Sequence, residues 1–364
     1  MKDKIKKRLL LLTGIISFVL CALWITDRLT TVCITYTSKA DKIEKTLYRD
    51  DPEMDEVEVC LIGGSHGINA FNPNILWESA GLHSYNYCYA GETIALSKVY
   101  LEELYKKHDF ELVVLEPYYA GINDKYFGEK DYAYDVLNKM HFSFGKMDYI
   151  NDHVSEEVRK NYWFPLRYYH SRWCDLTDED KERKPDISDD WKLGQDHHFE
   201  VNDGNEVSFL PWADDGTDCE LAAGIEKDLC EFIELAKSHG SKVLLADLPR
   251  RMNDSLFPAK WLKNEYAVLN RVKKIAARYD VDVLSYDDAG LTEIGFDPAI
   301  HMYNKGHMNL LGSEVYSREL GRYITSHMDV SVHKRDASDI WEGYLSQYKL
   351  KTADAECRQK GNVG

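Results

Sequence analysis

Two short segments carry residue types that could do chemistry together. Gly63-Gly64-Ser65-His66-Gly67 follows the apolar run from Val57 to Ile62, and His307-Met308-Asn309-Leu310-Leu311-Gly312 lies late in the chain. A serine becomes a nucleophile when it leaves the chain at a tight turn, with backbone amides free to meet a developing oxyanion. Glycines permit that close approach and its unusual dihedrals. A histidine on a loop just ahead of a helix suits a general base. Each segment alone is a weak signal, because glycine-serine turns after strands are common and a lone histidine is more often structural. The pair gains meaning if one sheet brings both to the same edge.

The elements that would position them follow from periodicity. Residues 57–62 read as a buried parallel strand, residues 93–107 as a helix, and Leu112 to Leu115 as a second buried strand closed by Glu116-Pro117. Alternation returns at 221: a helix to 239 stopped by Gly240, a strand from 242 to 248 closed by Pro249, a helix over 260–279, a strand over 281–284 and a closing helix over 310–328. This pattern predicts an α/β domain over 57–330 with a three-layer, doubly wound, mostly parallel sheet. In such sheets chemistry gathers beyond the carboxyl ends of strands, where Ser65, Pro117 and Pro249 fall. Residues 120–215, rich in Tyr, Trp, His and Asp, read as an insertion of short helices and loops. Its charged run 175–190 reads as solvated surface, and residues 331–364 as a charged peripheral tail.

The chain has 364 residues, 44% of them hydrophobic, and a formal charge of −17. That charge argues against nucleic acid as a partner, since nothing offsets the phosphates. The basic cluster Lys2, Lys4, Lys6, Lys7 and Arg8 instead precedes an apolar run over residues 9–25. Its length is at the short end of what spans a bilayer. The positive flank places residue 1 in the cytoplasm and the remainder outside, as a single-pass membrane protein. A cleaved signal peptide is the alternative, although Trp24-Ile25-Thr26 lacks the small-residue cleavage pattern. Residues 1–33 are then the anchor and the polar stretch 34–56 a linker. The 24 tyrosines and eight tryptophans suit sugar platforms or core filler equally. The eight cysteines include no C-x-x-C pair and no zinc spacing, so no disulfide framework follows; Cys60 and Cys230 read as core residues. His197 and His198 beside Asp196 point apart in an extended segment and lack a third ligand. No metal and no cofactor is expected.

The order of GGSH after the first strand and HMNLLG before the last helix resembles the SGNH/GDSL hydrolase superfamily, with its early serine block and late D-x-x-H block. Within it, the chain resembles the bacterial membrane-anchored branch of D-alanine-transfer-protein-like and polysaccharide O-acetyltransferase members. Ala70-Phe71-Asn72-Pro73, the stretch from Asn86 to Gly91, and the run from Tyr168 to Trp173 fit that branch. The resemblance covers residues 57–325, with only the two catalytic blocks specific. It implies Ser65 as nucleophile, His307 as base, and the amides of Ser65 and Gly91 as oxyanion donors. The chain departs from the family where the acid should stand three residues before the histidine, because that position is Asn304. An amide can accept from the imidazole and hold its tautomer but cannot stabilise the imidazolium as a carboxylate does. Asp297 is the nearby carboxylate that could substitute. The family's oxyanion asparagine is replaced by Glu116-Pro117, leaving Asn123 as a distant candidate. His66 adjoins the nucleophile and either lines the site or serves the turn. Arg250 and Arg251, after the strand at 242–248, either bind a phosphate or carboxylate of a wall polymer or are exposed surface residues.

The resemblance implies acyl transfer, of acetyl or D-alanyl groups, to hydroxyls of an envelope polysaccharide or wall polymer, beside a polytopic membrane O-acyltransferase. An esterase would use the same residues. A non-catalytic polymer-binding or assembly factor with a decayed site is the third reading.

Overall fold

The structure, a computed structural model, describes residues 2–33, 38–50, 52–127, 132–168, 172–177, 190–196, 198–200, 207–222, 224–336 and 339–362. Short runs form the strands β1 (Val59–Ile62), β2 (Ser84–Asn86), β3 (Leu112–Leu115), β4 (Lys242–Ala246) and β5 (Asp282–Leu284). They pair in parallel throughout, in the order β2-β1-β3-β4-β5. The fold is therefore α/β around an all-parallel sheet. Strands β1 and β3 are apolar at every position because both faces are covered. Side chains alternate across the pleat: Cys60, Ile62, Val113 and Leu115 enter one hydrophobic cluster, and Val59, Leu61, Leu112 and Val114 enter another. Helices Ile94–Leu104, Ile225–Ser238 and Glu265–Arg278 close the first, while Pro73–Ala80 and Leu310–His327 close the second. The strand order reverses between β1 and β3, so a crevice opens beyond their carboxyl ends. Ser65 stands there, three residues past β1.

Strand β2 is absent from the sequence expectation. Its three residues, Ser-Tyr-Asn, give no apolar run, and tertiary pairing with β1 makes it a strand. The linker expected at 34–56 is corrected over its described residues, 38–50 and 52–56. Helix Ser38–Leu47 is amphipathic, and Ile43, Thr46 and Leu47 are buried in the core. The apolar residues are few but share one face, so composition hides them. The expected peripheral tail is likewise integral: Trp341, Tyr344, Leu345 and Tyr348, on helix Ile340–Asn362, pack into the same core.

The insertion does consist of short elements, among them helices Phe144–His153 and Glu156–Trp163. Most of its charged run (178–189), residues 169–171 of the aromatic run, and His197 lie outside the described residues. Helix Lys2–Cys33 includes a 24-residue stretch, Asp3–Thr26, within which an 18-residue window has a mean hydropathy of 2.5 and no burial. It is long and apolar enough to cross a membrane, and a signal sequence would share these properties.

Candidate active site

Close packing dictates the glycines ahead of Ser65. Gly63 adopts φ +147°, and a Cβ there would lie 2.6 Å from the Glu116 Cβ; one on Gly64 would lie 2.3 Å from the Tyr119 ring. The turn can thus lie flat on the end of β3 only without side chains. Ser65 then opens the short helix Ser65–Ala70. Asn86, the last residue of β2, holds that helix from below. Its Nδ2 donates to the carbonyls of Gly67 and Phe71, both at 2.9 Å, while its Oδ1 accepts from the Cys88 amide at 3.1 Å.

His307 arrives from a hairpin pinned by buried Met302 and Met308, which face each other across an antiparallel bridge. The Tyr303 amide donates to the His307 carbonyl at 2.8 Å. Beyond the hairpin, Asn309 caps helix Leu310–His327 by accepting from the Gly312 amide at 3.0 Å. The ring of His198 stacks on Tyr303 at 3.9 Å and braces the hairpin's outer side.

The structure brings Ser65, His307 and Asn304 into one hydrogen-bonded chain. His307 Nε2 lies 2.9 Å from Ser65 Oγ, and its Nδ1 lies 3.0 Å from Asn304 Oδ1. The same Oδ1 accepts from the amides of Gly306 at 3.0 Å and His307 at 2.9 Å. Two backbone N–H donors can only face an oxygen, which fixes the orientation of the Asn304 amide. Nδ1 therefore carries the ring proton, and Nε2 presents its lone pair to the Ser65 hydroxyl. This is the tautomer a general base requires. Burial lowers the His307 pKa to about 4, and nearby His198 adds to the shift. The ring is neutral at physiological pH.

The other candidates are placed as follows. Asp297 caps the short helix Pro298–His301, and its own amide donates to His301 Nδ1, so it serves that turn and not the His307 ring. Asn123 is held by the segment at 260–261, its amide donating to the Lys260 carbonyl. Gly91, with φ +71°, lies against the Tyr132 ring on the loop after β2. That loop is tied to the serine turn by the Tyr89 amide, which donates to the Gly63 carbonyl at 3.0 Å. His66 is buried rather than lining a cleft. Its ring packs edge-on against Tyr118 at 3.9 Å and against His307 at 5.0 Å. Burial, with His307 and Arg250 nearby, holds its pKa well below the ordinary value.

Arg250 is also buried, and its charge is matched internally. It donates to Asp247 at 2.6 Å and Glu265 at 3.1 Å, and its guanidinium lies over the Tyr118 ring. Its burial corrects the exposed-surface alternative for Arg250. Arg251 pairs with Asp254 at 3.4 Å, and its amide donates to the Lys305 carbonyl at 2.9 Å, bracing the histidine hairpin.

Two supporting residues were not anticipated. Glu116 is buried at the end of β3, its Oε2 accepting from the Gly64 amide at 3.1 Å and its Oε1 from the Tyr118 amide at 2.7 Å. It joins the serine turn to β3. Burial raises its pKa to about 7, against the lowering effect of those two amides. A charged residue at the end of an apolar strand is the signal that could have marked it. Lys42, on the helix expected to be linker, donates to the Cys88 carbonyl at 2.9 Å and the Gly194 carbonyl at 3.0 Å. Burial lowers its pKa to about 8, against several nearby acidic groups. No pattern in the sequence links residue 42 to residue 88.

Compared with known protein families and curated proteins, the chain matches no family model and no curated sequence.

Proposed function

We propose that the protein is a membrane-anchored serine acyltransferase of SGNH type that modifies an envelope polysaccharide or wall polymer. The observation that carries this reading is the hydrogen-bonded series from Ser65 Oγ through the His307 ring to Asn304 Oδ1. Ser65 Oγ attacks the acyl carbonyl while His307 Nε2 takes its proton. Collapse of the tetrahedral intermediate forms the Ser65 ester, and the leaving alcohol takes the proton back. An acceptor hydroxyl then gives its proton to His307, attacks the ester and frees Ser65. The Ser65 and Gly91 amides are the proposed oxyanion donors. With water as acceptor the same steps hydrolyse the ester.

The strand order, with helices on both faces of the sheet and the serine at its reversal, supports the three-layer doubly wound SGNH arrangement. The apolar first helix and its basic flank support single-pass anchoring with the domain outside. In this reading a polytopic membrane O-acyltransferase supplies the acyl group.

Treatment of the full-length protein in detergent micelles with a fluorophosphonate, followed by mapping of the adduct, tests the chemistry. Labelling at Ser65 that is lost in Ser65→Ala and falls in His307→Ala is expected. A folded wild-type chain that stays unlabelled removes the catalytic reading and favours a binding or assembly factor.

A further inference from the structure

A second cluster of chemically capable side chains lies at the opposite end of the sheet from Ser65. Glu58 immediately precedes β1, His83 immediately precedes β2, and His333 follows the last helix of the sheet layers. Their ligand atoms all lie within 4.8 Å of one another. His83 is buried, and its Nε2 has no hydrogen-bond partner. The nearest oxygen to that atom in an ion pair is Asp339 Oδ2, at 3.7 Å. A buried imidazole nitrogen without a hydrogen-bond partner, set among a second imidazole and carboxylate oxygens, is the kind of group that a bound metal satisfies.

We propose that Glu58, His83 and His333 form a binding site for a divalent transition metal, with zinc the best match, and that Asp339 supplies the fourth position. Two imidazoles and carboxylate oxygen suit zinc over magnesium or calcium, which prefer all-oxygen sites. Without an ion, His333 Nε2 lies 2.8–2.9 Å from the Glu58 carboxylate oxygens, and its ring stacks on His83 at 4.0 Å. Bonds of about 2.0–2.2 Å hold tetrahedral ligand atoms about 3.3–3.6 Å apart. An ion therefore requires the 2.8–2.9 Å approach of His333 to Glu58 to open slightly and the widest separations, up to 4.8 Å, to close by roughly an ångström, with His333 turning out of the stack. His333 is half-buried on the segment between two helices and can make that turn, whereas His83 is fixed between the His333 and Trp341 rings. An ion here would clip the C-terminal segment to the start of β1 and β2. The assignment is independent of the serine chemistry.

The test uses full-length protein in detergent micelles, stripped with a chelator and titrated with zinc chloride by calorimetry. His333→Ala and Glu58→Gln are measured beside it, and circular dichroism verifies that each is folded. One zinc per chain is expected, with affinity falling at least tenfold in both variants and with a melting temperature that rises on zinc addition only in the wild type. A wild-type chain that takes up no zinc, or an affinity that survives either substitution, overturns the assignment.

Discussion

Asn304→Asp is the most informative single change. The asparagine oxygen already accepts from two backbone amides and the imidazole Nδ1. A carboxylate of the same shape keeps all three bonds and adds a charge 3.0 Å from the ring. At an effective dielectric near 20, that charge attracts an imidazolium by about 5 kcal/mol, before the cost of burying the carboxylate. Removing such a carboxylate from a serine protease costs about 10⁴ in rate, the same energy approached from the other side. The acceleration in Asn304→Asp therefore lies between about tenfold and a ceiling of about 10⁴. The pH profile must move with it. In the wild type the base is lost only as the pH falls through about 4. A neighbouring carboxylate raises that midpoint by about 1–3 units. The assay is the second-order rate of fluorophosphonate labelling at Ser65, from pH 3.5 to 8, on full-length protein in micelles. A folded Asn304→Asp variant whose rate at pH 7.5 stays within threefold of wild type, with an unmoved acid limb, would refute the view that residue 304 tunes the base.

Three further substitutions test the packing. In Glu116→Gln the amide nitrogen meets one of two backbone N–H groups, so Ser65 labelling should slow at least tenfold. Glu116 also binds its proton more tightly folded than unfolded, so the wild type loses stability as pH climbs from about 4.5 to 7. Denaturant titrations across that window should show the loss in the wild type and not in the variant. Gly64→Ala drives a methyl into the Tyr119 ring, costing about 1–3 kcal/mol in melts and abolishing labelling by displacing Ser65. Trp341→Ala, at a site expected from composition to be peripheral, should cost about 3–5 kcal/mol of unfolding free energy. A loss below 1 kcal/mol would show that the C-terminal helix is a bystander.

What could be read in the chain without coordinates was what depends on near neighbours. Strands β1, β3, β4 and β5 announce themselves as apolar runs, and the helices between them by their spacing. Ser65 and His307 were legible because a glycine turn after a strand and a histidine before a capped helix are local patterns. The contacts that complete the site are not local. Glu116 meets Gly64 across 52 residues, and Lys42 meets Cys88 across 46. His83 and His333 stand 250 positions apart and share no spacing rule. The error over 34–56 has the same root. Lys42, Glu44 and Lys45 dominate its composition, while burial is decided by the single face carrying Ile43, Thr46 and Leu47.

That buried helix bears on how far the proposed active site can reach. Only four residues separate Cys33, which ends the first helix, from Ser38, which begins the core-packed one. Fully stretched, such a leash reaches no more than about 18 Å. On the proposed reading, in which the first helix is a membrane anchor and Ser65 the nucleophile, the crevice would patrol a thin shell above the lipid. Acceptors still attached to the membrane meet it at an effective concentration near the millimolar range that short tethers confer. On the same reading, an acceptor that has moved away from the membrane would lie beyond its arc.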